Sequence, residues 1–154
     1  MKFIQVLFPI LVVGMCCVTT SCDKDEEKYS GSLEQTQTPP TSNISQPTFE
    51  KNLTTTTISD VSLRCRFNNG GDTWGNMSCT VHWNKYYSKP TTTPKASDMT
   101  NHEQMRQYAS TSETTTFDKT HTGFSGGMYI YYYFECKNSK FTTKTDVTYC
   151  VVKR

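Results

Sequence analysis

The stretch Val61-Ser62-Leu63-Arg64-Cys65-Arg66-Phe67 alternates apolar and polar residues without a break. A period of two marks a half-buried strand, because successive side chains leave opposite faces of the backbone. Val61, Leu63, Cys65 and Phe67 then share one face, and Ser62, Arg64 and Arg66 the other. The stretch Met77 to Trp83 repeats the pattern, with Met77, Cys79, Val81 and Trp83 inward. The strongest run is Met128-Tyr129-Ile130-Tyr131-Tyr132-Tyr133-Phe134-Glu135-Cys136. With Ile130, Tyr132, Phe134 and Cys136 inward, Tyr129, Tyr131, Tyr133 and Glu135 point outward. A weaker, Thr-rich strand signal covers Thr48 to Ile58, and further strands are expected at Thr114 to Thr120 and about Thr145 to Val152. Turn residues separate them at Asn68 to Asp72, Ser88 to Pro94 and Gly123 to Gly127. His102 to Tyr108 is expected to form one short helical turn. Short alternating strands spaced by turns predict an all-β sandwich or barrel.

Composition points the same way. Thr, Tyr and Phe are plentiful, aliphatic residues are scarce, and the former suit pleated, half-buried surfaces. A formal charge of +2 over 154 residues, with no run of Lys or Arg, gives no electrostatic case for nucleic acid. No Gly-x-Ser-x-Gly elbow, phosphate loop or close Cys-x-x-Cys is present, and the histidines have no metal-site spacing. No cofactor, metal or catalytic residue is expected.

The first 21 residues differ sharply in character from the charged block after them. Lys2 precedes an apolar stretch shorter than the ~20 residues of a spanning helix, and small residues lead to Cys22. Asp23-Lys24-Asp25-Glu26-Glu27-Lys28 comes next. Residues 1–21 therefore read as an export signal. Residues 22–46 read as a flexible tether, with Thr38-Pro39-Pro40 at its centre and little apolar surface to offset ordering entropy. Residues 47–154 form the folded domain.

Thr19-Thr20-Ser21-Cys22 resembles the cleavage box of bacterial lipoproteins, with Thr19 where an aliphatic residue is usual. The acidic, lysine-containing residues after it resemble the export tag of Bacteroidetes surface lipoproteins. This resemblance implies lipidation at Cys22 and display at the cell outer membrane. Four further cysteines, Cys65, Cys79, Cys136 and Cys150, then remain in an exported domain and are expected to form two disulfides. Each bridge would contribute roughly 2–4 kcal/mol.

The folded region carries a second resemblance. VSLRCRFNNGG (Val61 to Gly71) is similar to the second strand and Gly-Gly turn of bacterial fibronectin type III-like domains. SKPTTTP (Ser88 to Pro94) is similar to their Pro-Thr loop. GGMYIYYYFECKN (Gly126 to Asn138) is similar to their Gly-Thr-Tyr-Tyr strand, which ends in Ala-x-Asn. The resemblance implies an immunoglobulin-like β-sandwich with no catalytic residues. It also implies one disulfide pattern, an inter-sheet Cys65–Cys136 bridge near Trp83. The equal spacing of Cys65–Cys79 and Cys136–Cys150 offers another, and the sequence leaves both open.

The candidate ligand face is formed by Tyr129, Tyr131 and Tyr133, with His82 on the neighbouring strand. Exposed aromatic rings among polar groups suit sugars or protein partners, unless a loop covers them. Trp74, in the loop from Asn68 to Asn76, is the rival position. The expected function is a non-catalytic binding or adhesion module, anchored by lipid, that takes a glycan or a surface protein. The alternatives are a spacer without its own ligand and a small secreted enzyme.

Overall fold

Val61, Leu63, Cys65 and Phe67 are all fully buried, and the face that alternates with them is not. The computed structural model describes residues 43–154. The expected signal, Cys22 and most of the expected tether lie outside the described residues. Those described form an all-β sandwich of two antiparallel sheets.

The strands are β1 (Thr48–Asn52), β2 (Thr55–Thr56), β3 (Val61–Asn68), β4 (Ser78–Tyr86) and β5 (Asn101–Gln104). They continue as β6 (Arg106–Ser110), β7 (Thr114–His121), β8 (Tyr129–Lys137), β9 (Thr142–Lys144) and β10 (Thr148–Val151). One sheet has the order β1-β3-β7-β6, with β2 beside β3. The other has the order β10-β8-β4-β5, with β9 beside β8. The core lies between them. Leu63, Phe67 and Phe117 come from the first sheet, and Val81, Ile130, Tyr132 and Phe134 from the second.

The helical turn expected at His102 to Tyr108 is not formed. The segment is two strands, β5 and β6, which belong to different sheets. Met105 is the buried crossing point, and its N–H bonds to the Cys79 carbonyl at 2.8 Å. The local sequence has no apolar stripe at helical spacing, so tertiary pairing decides its conformation. The last strand expected from about Thr145 to Val152 is shorter, confined to β10, and a separate short strand, β9, precedes it.

Residues just before the boundary expected at Pro47 are docked on the domain. Ser45 donates its N–H to the Gly70 carbonyl at 2.8 Å, and the Gln46 side chain reaches the Thr142 carbonyl at 3.1 Å. This docking needs a glycine. Gly70 has φ +68°, and a Cβ there would stand 2.3 Å from the Ser45 carbonyl oxygen. Asn138 holds the same junction. Its amide donates to the Ser45 and Asn69 carbonyls at 2.9 and 3.2 Å, and its oxygen accepts the Lys140 and Phe141 N–H groups. A buried Asn with its hydrogen bonds satisfied is a fixed joint rather than a cost.

Candidate functional site

The tyrosines leave β8 on the outer side of their sheet, as the alternation requires, but they are not open to solvent. Tyr131 is 3% and Tyr133 6% exposed, packed with Met99 in a second apolar cluster outside the main core. Tyr129 is half-buried at the edge of that cluster. Met99 belongs to the long connection between β4 and β5, in which Pro94 is also buried. The Asn84 amide holds that connection by donating to the Asp98 carbonyl at 3.0 Å. Tyr149 on the edge strand β10 stacks on Tyr131 with ring centroids 5.1 Å apart. The sequence leaves open whether this face is exposed or covered: a loop straps it, and these rings build a packed layer.

His82 lies on the same face. Its ring is parallel to that of Tyr133 within 2°, with centroids 4.5 Å apart. Burial holds the imidazole below its usual pKa, against the pull of Glu135, whose carboxylate is 3.7 Å away. Glu135 also pairs with Lys144 at 2.9 Å. Trp74, in a 3-10 turn after the glycine turn, is 52% exposed and belongs to no core cluster. His82 and the tyrosines form one packed group, and Trp74 belongs to a separate loop.

The four cysteines of the domain are thiols in this structure. The expected second pairing fails in part on geometry. Cys150 stands opposite Ile130 on β8, and strand rise puts about 20 Å between Ile130 and Cys136. A Cys136–Cys150 bridge is out of reach, since bridged Cα atoms lie within about 7 Å. Burial pushes the Cys150 thiol up to about 12. Among the described residues, no group of three or more His, Cys, Asp or Glu side chains is placed to hold a metal ion.

A groove that the sequence did not suggest opens along one side of the sandwich. It has a volume of about 440 Å³ and runs between the edge of β1 and the β9–β10 break. Phe49, 40% exposed, and the buried Phe134 supply its apolar surface. Their rings are stacked, with centroids 6.4 Å apart. Asn52, Lys144, Thr145, Asp146 and Thr148 supply amide, ammonium, hydroxyl and carboxylate groups.

Two irregularities build this groove. The β1–β3 register shifts between Phe49 and Lys51, so strict alternation is broken within β1. Phe49 consequently meets Phe67 and Phe134, while Asn52 three positions later donates to the buried Tyr132 hydroxyl at 2.8 Å. On the opposite wall, the Thr145 hydroxyl accepts the Phe134 N–H at 3.0 Å in place of a backbone carbonyl. Strand pairing is interrupted there, between β9 and β10, and Asp146 and Thr148 line the opening. The one sequence trace of these breaks is the weak signal of the Thr48–Ile58 strand.

The other side of the sandwich is closed by charge. Lys119 on β7 pairs with Glu103 on β5 at 2.6 Å, joining the two sheets. His121 Nδ1 is 3.6 Å from the same carboxylate, and its ring packs on Trp83 with centroids 4.7 Å apart. An open concavity with an aromatic floor lies on the β1–β10 side.

Comparison of the chain with protein-family models finds no match, and comparison with curated proteins finds none.

Proposed function

We propose that this chain is a lipid-anchored, non-catalytic binding module of the bacterial cell surface, and that the lateral groove seats a glycan. The observation that carries the reading is the groove itself, in which the exposed ring of Phe49 lies beside Asn52, Asp146, Thr145 and Thr148. Sugar rings present apolar C–H faces and a rim of hydroxyls, and an aromatic face with mixed donors and acceptors complements both. Lys144 stands at the meeting point of the groove and the Glu135–His82 group, so the polar residues of the outer sheet border the site.

Anchoring rests on Cys22 and the acidic residues after it. A labelled fatty acid is expected to mark the protein, and Cys22→Ser to abolish the label. The strand orders β1-β3-β7-β6 and β10-β8-β4-β5 support the fibronectin type III-like, immunoglobulin-like reading, since they parallel the A-B-E-D and G-F-C-C′ sheets of such sandwiches. The joint made by Asn138, at the end of the Gly126–Asn138 motif, supports it as well.

One observation favours the spacer reading: the broad outer face of the β8 sheet is already occupied by this chain's own loop. Glycan binding that disappears on Phe49→Ala distinguishes the module from a spacer, because a spacer retains no glycan to lose.

A further inference from the structure

Cys65, Cys79 and Cys136 lie in the core, away from the groove, and the proposed binding function makes no use of them. Cys79 on β4 touches both of the others. Its sulfur is 3.9 Å from that of Cys65 on β3, in the facing sheet, and it stands directly opposite Cys136 on β8, within its own sheet. We propose that Cys65 and Cys79 form the structural disulfide of the mature protein, bolting the two sheets together, while Cys136 and Cys150 stay as thiols.

The choice of partner follows from geometry. Bridged cysteines hold their Cβ atoms about 3.5–4.5 Å apart. Directly opposite residues on neighbouring strands hold theirs at about 4.5–5.5 Å, a spacing fixed by the backbone ladder. A Cys79–Cys136 bridge therefore has to draw two paired strands together. Cys65 and Cys79 come from facing sheets, where no ladder fixes the spacing. Their sulfurs, 3.9 Å apart, must approach by about 2 Å to reach bonding distance. Cys150 lies beyond reach of the trio.

The bond forms during folding. The neighbouring Cys136 thiol pulls the Cys79 thiol down, but contact with Cys65 and burial outweigh that and push it up, while contact with Cys79, together with burial, pushes Cys136 up. Thiolate is scarce once the core has closed, and thiolate is the attacking species. In the open chain, the Cys79 thiolate attacks the disulfide of a dithiol oxidase and forms a mixed disulfide. The Cys65 thiolate then displaces the oxidase sulfur. Cys65 and Cys79 give up two protons and two electrons, and the oxidase disulfide is reduced to two thiols. The bridge rests on the exported location within the proposed function, though not on the glycan.

The test is a proteolytic digest of the full chain under non-reducing conditions, after alkylation of free thiols, read by mass spectrometry. Two samples are compared: protein from the envelope of an exporting host, and protein refolded in vitro with oxidised glutathione. The expected result in both is a Cys65–Cys79 linked peptide, with alkylated Cys136 and Cys150. Cys136→Ser should leave the linked peptide intact, and Cys79→Ser should abolish it. A main species bridged through Cys136 or Cys150, or four alkylated cysteines after oxidative refolding, overturns the assignment. A bridge in the refolded sample alone overturns export while supporting the pairing.

Discussion

The Asp72 carboxylate accepts the Ser139 backbone N–H at 2.7 Å and so ties the β3–β4 loop to the β8–β9 turn. The same carboxylate accepts the Thr73 N–H at 2.8 Å and the Asn76 amide at 3.0 Å. Burial alone would raise this acid, but the hydrogen bonds from Ser139, Asn76 and Thr73 outweigh it and hold it at about 2. A folded-state pKa below the unfolded value stabilises the fold above pH ~4, and the contribution is lost as pH falls toward 2. Asp72→Asn should lose roughly 2 kcal/mol at pH 7 and flatten the acid limb of the stability curve. Urea unfolding at pH 7, 4 and 2.5 checks both.

A second acid sensitivity lies at higher pH. Burial depresses His82 and His121 below 6.5, and each is pulled back only in part by its carboxylate, Glu135 and Glu103. Both favour the neutral ring in the fold, so stability should be full above pH 6.5 and decline as pH drops below it. Glu103, lowered from 4.5 chiefly by its hydrogen bond from Lys119, adds a further loss below that value. The His82→Gln/His121→Gln double variant should show a smaller fall in melting temperature between pH 7.5 and 5.5 than the parent.

Gly70→Ala tests the docking of the segment before Pro47. The new methyl group meets the Ser45 carbonyl oxygen, and φ +68° is unfavourable for alanine. The expected loss is about 2 kcal/mol, with faster amide exchange at Ser45. Gly123→Ala serves as the control: it also has positive φ, but nothing lies within 4 Å of its Cβ, and it should cost less.

Tyr131→Ser should act on stability. Removing a buried aromatic ring costs about 3 kcal/mol, so the variant should melt well below the parent. Trp74→Ala, on an exposed ring, should stay within about 0.5 kcal/mol of it. Thermal unfolding of the two variants side by side separates the packed layer from the open loop.

The alternation of Val61–Phe67, Met77–Trp83 and Met128–Cys136 is enough to place the core, because β3 keeps its register with β7, and β4 with β8, along the whole pairing. Parity also assigns the correct sheet face to Tyr131 and Tyr133. Exposure is not legible in the sequence, since it depends on where the β4–β5 connection comes to rest, and only Pro94 and Met99 of that largely polar loop are buried. The groove is hidden for a related reason. Phe49 and Asn52 meet the core side through a register shift, and Thr145 replaces a ladder carbonyl with its hydroxyl. Both depend on long-range pairing and leave no period in the sequence. The β5–β6 segment gives no strand signal because it lacks a regular alternation: β5 pairs back to β4, and β6 pairs with β7 through an irregular register.

The most direct test of the proposed function is a glycan-array screen of the mature chain against its Phe49→Ala variant, with matched circular dichroism to confirm the fold. The expected outcome is a defined set of glycans retained by the parent and lost by the variant, while Trp74→Ala retains them. A parent that captures no glycan, or binding that survives Phe49→Ala undiminished, would contradict the assignment of the groove.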